Sequence, residues 1–324
     1  MMMESQISNV GAMARLQTVV PSSQPFASTE KMLNDIADYL SGFLGDVSLI
    51  RLCSLWVAQA HLGHVWFICP WLYVGLPGHD QGGQLLLDVL QPLMPVNWYA
   101  GGDPELPRQA TLRNAKAVPG CRSKAVADFL QRLGAASRVS ALIGHVVDPR
   151  VGKGVDSARR ALVLTGMPSW RTSAELATKA ITYATSGVGS ARVLCKSDVL
   201  GGYSLRVDLD EWVIEVEDAA GQANTILPDG LSGANADLWR PMLTLAELAG
   251  EEWHAWATQL AVQDALSKSY AALGRLSDSV VDEECGMSTS SWHKSEEEEL
   301  LAQVGALRKT RERTLAHMKA DSVW

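Results

Sequence analysis

The chain has 324 residues, of which 47% are hydrophobic and 20% charged, and its mean hydropathy is +0.02. This length and composition exclude a collagen-like or largely disordered chain and predict one α/β domain with terminal extensions. The formal net charge of −8 argues against binding of bare nucleic acid through the overall field, although a local basic patch would still permit it. We therefore expect protein partners.

Neither the apolar stretches nor the cysteines indicate a membrane protein or a secreted one. The longest apolar stretch, residues 65–76, is too short to span a bilayer and contains Pro70, and the Met-rich start lacks a basic region followed by an apolar core. The five cysteines are scattered without a C-x-x-C pair, which favours buried free thiols over disulfides or a zinc site. We predict a cytoplasmic protein with no membrane contact and no metal.

Two helices are predicted after residues 1–28, whose small and polar residues predict a flexible arm. The first helix follows Thr29, a suitable N-cap, and its apolar residues recur at helical spacing. The second helix covers Val47–His61 and is apolar nearly all round, which is typical of a buried helix.

Residues 65–90 predict a buried strand, a glycine-rich loop and a helix. An almost wholly apolar run at 65–74 meets the loop at 75–83, and an i, i+3, i+4 apolar pattern follows. This order is the frame of a phosphate-binding loop, whose signature is G-x-x-x-x-G-K-[ST]. Laid over this loop, the signature begins at Gly78 and its second glycine is Gly83.

The two positions after Gly83 depart from the signature. Gln84 stands where the lysine belongs and Leu85 where the Ser or Thr belongs, so these positions supply neither the phosphate-neutralising cation nor the magnesium ligand. The backbone could still hold an anion at the start of a helix. A degenerate P-loop and an ordinary strand-turn-helix with turn glycines therefore both stay open.

An ATPase would also need an acid at the end of a second strand and a polar sensor at the end of another. Residues 110–116, in the expected place for the acid, contain none. Asp148 follows the apolar run 141–147 and is one candidate, whereas residues 205–211 alternate like a half-solvated strand with surface acids. Thr165 ends a clean apolar strand and is the candidate sensor, although threonine commonly closes a strand.

The middle of the chain predicts a helix at 171–187 and two strands at 191–216, broken at Gly201 and Gly202. Several tryptophans fall within apolar periodic segments, which favours core positions or subunit-interface anchors over base-stacking platforms. These are Trp56, Trp66, Trp71, Trp239 and Trp253.

Helices dominate the predicted end of the chain. In the helical region 236–273, Pro241 is expected to begin a helix and Gly250 to end it. A polar linker at 277–295 then leads to a helix at 296–324, whose acidic start and basic end match the helix dipole. Docking of this last helix on another protein and a solvated tail are both open.

Residues 55–61 and 238–253 carry a resemblance to a known family. The first segment reads LWVAQAH and the second LWRPMLTLAELAGEEW. With the strand and loop after the first segment, they resemble a domain of unknown function in helicase-like P-loop proteins of the AAA+ and RecA kind, from actinobacterial phages, plasmids and integrated elements. Members typically pair an LW-x-A-x-T-H helix before the P-loop with a late W-E-P-L-L-A-I-A-D-L-A-G-G-D-W helix.

The resemblance implies an α/β fold, a P-loop NTPase-like three-layer sandwich with a largely parallel sheet at 29–230 and a helical lid at 231–276. It also implies a homo-oligomer, since members of this kind form rings. The candidate residues of a degenerate nucleotide site are Gly78, Gly83, Gln84, Leu85, Asp148 and Thr165.

Three functions are compatible with these features. The first is a catalytically degenerate P-loop protein without cofactor that serves as an oligomeric scaffold or assembly module of a phage or mobile element. The second is a nucleotide-binding ATPase or helicase-like protein of mobile-element replication, which would use ATP with Mg²⁺ and Lys153 in place of the missing lysine. The third is a phage structural protein that binds no nucleotide.

Overall fold

The computed structural model describes residues 27–66, 68–76, 81–95, 110–111, 140–143, 162–166, 174–185, 187, 192–283 and 292–321. About three quarters of these residues are helical, and five short strands form one mixed sheet. Within these ranges, no helix combines the length and the apolar character that crossing a membrane requires.

Helices α1 (Ala27–Ser41) and α2 (Val47–His61) correspond to the two predicted helices. They pack against each other. The apolar face of α1 is buried, and α2 is buried over most of its length, which explains why its sequence is apolar all round. Asp46 is the N-cap of α2. Its carboxylate accepts hydrogen bonds from the backbone N–H groups of Ser48 (2.9 Å) and Leu49 (3.1 Å), two donors that the first helical turn leaves without partners.

The sheet has the strand order β2-β3-β4-β1-β5. Strand β1 is parallel to both of its neighbours, β4 and β5, whereas β3 is antiparallel to β2 and to β4. All five residues of β1 are buried, as expected for a strand that is covered on both faces. The strands are β1 (Trp71–Gly75), β2 (Ala110–Thr111), β3 (Ser140–Ile143), β4 (Leu162–Gly166) and β5 (Ala180–Ala184).

The predicted strand and helix at 65–90 are present in that order, but their boundaries differ. Strand β1 starts only after Pro70, whose carbonyl accepts a hydrogen bond from the indole N–H of Trp56 at 2.9 Å. Helix α3 (Gln81–Leu90) begins two residues before Gly83, and the short 3-10 helix Gln91–Leu93 follows it. In the apolar run at 65–74 the strand therefore covers only residues 71–74, because a proline cannot donate to a sheet ladder.

The predicted P-loop NTPase-like three-layer sandwich with a largely parallel sheet is wrong. Parallel pairing among the described strands is limited to β4, β1 and β5, and the described chain is mostly helical. The predicted helical lid is not a separate layer, because the helices after residue 231 share one hydrophobic core with α1, α2 and β1. The described helices are therefore arranged around this hydrophobic core and not around the sheet.

The prediction of two strands at 191–216 is wrong, because residues 196–216 belong to helix α5 (Lys196–Gln222). Its buried residues are spaced at three or four: Gly202, Leu209, Trp212, Val216 and Ala220. The apolar and charged alternation at 205–211 resembles a strand because this helix has apolar residues on two opposite faces. Such a pattern over seven residues does not distinguish the two structures.

Gly202 does not break α5, contrary to the prediction. A Cβ atom at this position would lie 2.7 Å from the Cβ of Pro92 and 2.8 Å from the hydroxyl oxygen of Tyr39. The glycine is therefore needed for the close approach of α5 to α1 and to the 3-10 helix, and not for a turn.

The predicted helix at 171–187 is wrong over its second half: helix α4 (Ala174–Lys179) is followed directly by β5. Helices α6 (Gly233–Ala249) and α7 (Glu251–Glu283) confirm the predicted helical region. Gly250 separates them with a φ of 113°, a conformation that favours glycine. Pro241 lies inside α6 and not at its start.

Helix α8 (Trp292–Asp321) packs along α7 and buries Val304 and Leu307. It begins before residue 296, and α7 continues into the segment predicted as a linker. The turn at Gly230, with a φ of 86°, fits closely against α8: a Cβ atom there would lie 3.0 Å from the Cβ of Ala306.

Candidate functional site

The residues predicted for a nucleotide site are only partly described. Gly83, Gln84 and Leu85 lie near the start of α3, where Gly83 is buried and the half-buried side chain of Leu85 packs against the hydrophobic core. Thr165 of β4 is paired with Val74 of β1, next to the point at which β1 ends. Gly78 and Asp148 lie outside the described residues.

Thr165 thus lies near the carboxyl ends of β4 and β1, on the side of the sheet from which the chain continues to α3. Carboxyl ends of parallel strands are where open α/β sheets bind ligands. Here, however, the parallel part of the described sheet consists of three strands, and the half-buried side chain of Leu85 packs against the core. A leucine side chain has no oxygen with which to ligate magnesium.

A polar cluster that the sequence analysis did not identify lies at the end of β5. The carboxylate of Asp46 accepts hydrogen bonds from the hydroxyl of Tyr183 (3.1 Å to each oxygen) and from that of Thr185 (2.7 Å). Burial raises the pKa of Tyr183 to about 12, so the phenol stays a neutral donor at neutral pH.

This cluster holds α2 against β5. With the two backbone N–H groups of α2, the carboxylate of Asp46 has five short contacts, and its lone pairs are used for structural bonds. An aspartate directly before an apolar helix is a cap signal, so the capping role could have been predicted from the sequence. The two hydroxyl partners could not, because they are more than a hundred residues away.

Two histidines join the end of α2 to α5. The Nε2 of His61 donates to the carbonyl of Leu93 at 2.7 Å, and its Nδ1 lies 3.1 Å from the carboxylate of Asp210. The Nε2 of His64 lies 2.9 Å from the carboxylate of Glu217. Within the described ranges no group of three or more His, Cys, Asp or Glu side chains is arranged to hold a metal ion. The two histidines connect the end of α2 and the residues after it with α5, and His61 also contacts the 3-10 helix.

The outward face of α5 carries an apolar stripe at seven-residue spacing. Leu200, Val207 and Ile214 are 57%, 53% and 77% exposed. Seven residues rotate an α-helix by nearly two full turns, so the three side chains lie on one face over about 21 Å. Val207 is two residues from buried Leu209, a rotation of about 200°, which places this α5 stripe opposite the buried face.

Acidic residues flank the α5 stripe. Five exposed acids lie along the helix: Asp208, Asp210, Glu211, Glu215 and Asp218. Within α5 the exposed bases are limited to Lys196. Glu211 and Asp218 each follow a stripe residue by four positions and so lie on the same face. The surface therefore combines apolar side chains with negative charge.

The tryptophans expected as core or interface anchors lie mainly in the core. Trp56 and Trp239 are fully buried, and the indole N–H of Trp239 donates to the carboxylate of Asp264 at 2.8 Å. Trp253 is also buried. Trp256 is half buried, and the guanidinium of Arg51 lies 5.1 Å from its ring centroid. Within the described part of the chain, these tryptophans are less exposed than the side chains of the α5 stripe.

Comparison with known proteins matches one segment of the chain. A family described as a protein of unknown function (DUF3631) matches residues 193–280, which comprise α5, α6 and most of α7. No curated protein and no solved structure matches the chain. The matched segment includes the α5 stripe and the residues 238–253 on which the sequence resemblance partly rests. The description of the family names no activity.

Proposed function

We propose that the protein is a non-enzymatic assembly module that forms homo-oligomers through the outward face of α5. The observation that carries this proposal is the position of Leu200, Val207 and Ile214, which are exposed on the side of α5 opposite its buried face. Burying one such side chain contributes about 1.5–3 kcal/mol. Burial of three such side chains between two copies would therefore favour association.

The polar clusters described above favour this surface over a catalytic site. Asp46 caps α2 and binds two hydroxyls, and the two histidines contact carboxylates of α5. For the second function, an ATPase using ATP with Mg²⁺, the described residues offer no comparable observation, because the predicted P-loop fold is wrong and Leu85 packs against the core. The proposal includes no cofactor.

We also infer a cytoplasmic location and an origin in a phage or mobile element. The location is supported by Cys53, Cys69 and Cys195, which are free thiols, the state that a reducing compartment maintains. The origin is supported by the sequence resemblance at 55–61 and 238–253. Both belong to the proposal.

The test replaces two residues of the α5 stripe. The variant Val207→Gln/Ile214→Gln removes apolar surface without lowering helix propensity, because glutamine favours helix at least as well as valine or isoleucine. We expect the full-length wild-type chain to show a mass above that of a monomer in light scattering, and the double variant to be monomeric. The matched control is Ile226→Gln, since Ile226 is 85% exposed and lies after α5 has ended. It should keep the wild-type mass.

Circular dichroism and urea unfolding establish that each variant is folded, and exposed substitutions are expected to change stability by no more than about 0.5 kcal/mol. A wild-type chain that is monomeric at every accessible concentration would refute the proposal. So would a folded Val207→Gln/Ile214→Gln variant that keeps the oligomer mass.

A further inference from the structure

A groove lined mainly by small residues and cations lies between α8 and the turn that contains Asp229. Its volume is about 300 Å³, and it is lined by Asp229, Ala302, Gly305, Ala306, Lys309, Thr310 and Arg313. We call this surface the α8 groove. A Cβ atom on Gly305 would meet nothing within 4 Å, so the floor of the groove is open to an incoming side chain.

The size of the α8 groove suits an aliphatic side chain. A cavity of about 150 Å³ accommodates a benzene-sized group, so a space of about 300 Å³ has room for one or two side chains of the size of valine, leucine or isoleucine. The groove is open along α8, and its lining residues recur at three- and four-residue intervals. A helix with a projecting apolar stripe is therefore a suitable occupant, since it would place its stripe between the ridges of α8.

The charge of the α8 groove is also suitable. Lys309 and Arg313 are exposed at its rim, and Arg311 and Arg308 add positive charge to the same helix. Arg313 lies 3.2 Å from the carboxylate of Asp229, but both side chains are more than two thirds exposed, so the pair is weak and can exchange. The α8 groove is thus an apolar depression with cations at its rim, and the α5 stripe is an apolar projection with acids beside it.

We propose that the α5 stripe of one copy docks in the α8 groove of a second copy. Val207 and Ile214 would enter the groove, and Glu211 and Asp218 would pair with Lys309 and Arg313 of the neighbour. This inference rests on the proposed function and names the surface that the outward face of α5 contacts. Because the stripe and the groove are different surfaces, one contact leaves an unused groove on one copy and an unused stripe on the other. The same two copies close into a symmetric dimer if they make the contact twice, and a contact that is not reciprocal extends to a ring or a filament.

A charge-swap experiment on the full chain tests this contact. The groove variant is Lys309→Glu/Arg313→Glu, and the stripe variant is Glu211→Lys/Asp218→Lys. Each variant alone places like charges on both sides of the contact, so we expect its dissociation constant in sedimentation to rise about tenfold or more. In an equimolar mixture every stripe again meets a groove of opposite charge, and the mass of the wild-type assembly should return. Arg311→Glu is the matched control, because Arg311 is exposed on α8 but does not line the groove.

The outcomes separate this inference from the proposed function. Suppose that Val207→Gln/Ile214→Gln abolishes assembly but the groove variant assembles like wild type. The α8 groove is then not the surface that receives the α5 stripe, and the proposed function stands. A mixture that fails to recover the mass, with both variants folded by circular dichroism, also overturns the inference. If Arg311→Glu weakens assembly as much as Lys309→Glu/Arg313→Glu, the effect reflects net charge alone and the specific contact is refuted.

Discussion

Asp264 and Lys268 lie one turn apart on α7 and form an ion pair of 2.8 Å in which the side chains are only 2% and 6% exposed. Asp264 also accepts hydrogen bonds from the indole of Trp239 and from both the backbone N–H and the hydroxyl of Thr182. Lys268 donates to the carbonyl of Ala180 at 2.6 Å. One buried pair thereby connects α7 with α6 and with β5, and it supplies polar partners to the outer edge of the sheet.

Removing the carboxylate of this pair should strongly destabilise the fold. Asp264→Ala leaves the ammonium of Lys268 buried without its counter-charge, and it also removes the acceptor for Trp239 and Thr182. We expect a loss of about 3–5 kcal/mol in the free energy of unfolding, measured by urea denaturation. The double variant Asp264→Leu/Lys268→Met removes both charges and should lose less than Asp264→Ala alone.

A second lysine–aspartate pair provides the control for burial. Lys31 and Asp35 are also four residues apart, at 2.6 Å, but their side chains are 75% and 38% exposed. Asp35→Ala should change the free energy of unfolding by less than about 1 kcal/mol. Equal losses for Asp264→Ala and Asp35→Ala would contradict the role assigned to the buried pair.

Two adjacent glycines of α5 should respond in opposite directions to alanine. Gly202→Ala would place a Cβ atom within 3 Å of Pro92 and Tyr39, so we expect a loss of about 1–3 kcal/mol in unfolding free energy. A Cβ atom at Gly201 meets nothing within 4 Å, so Gly201→Ala should stabilise the helix by roughly 0.5–1 kcal/mol. Urea midpoints of the two variants test this pair. Equal midpoints would show that α5 does not approach the 3-10 helix closely.

Alkaline pH should destabilise the folded chain. Burial raises the pKa of Tyr39, Tyr73 and Tyr183 to about 12, above their ordinary value of 10.0. Because the folded state holds these protons more tightly, the stability is fully present below about pH 9 and falls as the pH rises towards 12. The urea midpoint should decrease over this window, and Tyr73→Phe should reduce the decrease. A midpoint that stays constant between about pH 9 and pH 11 would contradict the burial of these phenols.

The described cysteines should differ in reactivity. Cys53 and Cys69 are buried, and burial raises the pKa of both thiols, that of Cys69 to about 12. Since the thiolate is the reactive form, a maleimide should not modify them in the native protein. Cys195 is exposed at the start of α5 and should react. Peptide-resolved mass spectrometry measures each site, and Cys195→Ser is the control. Native labelling of Cys53 as fast as that of Cys195 would contradict the core assignment.

The candidate site was predictable only in part. The capping role of Asp46 and the apolar residues at 200, 207 and 214 are visible in the sequence once a helix is assumed. Short alternation at 205–211 favoured strands instead, so the stripe was not recognised. The α8 groove could not be predicted, because Asp229 reaches it from a turn some 80 residues earlier, with the hydroxyl of Thr310 donating to its carbonyl.

The sequence by itself determined the elements whose periodicity is long and regular: α1, α2 and the helical region of α6 and α7 with its break at Gly250. It also determined the burial of four of the five tryptophans that lie in apolar periodic segments, Trp56, Trp71, Trp239 and Trp253. These features depend on which residues within about fifteen positions share a face. Only the tertiary structure decided that 196–222 is a helix, that β3 runs antiparallel to β4, and that Asp264 binds Thr182. Each of these depends on contacts between residues far apart in the chain, where packing and the satisfaction of buried polar groups outweigh local preference.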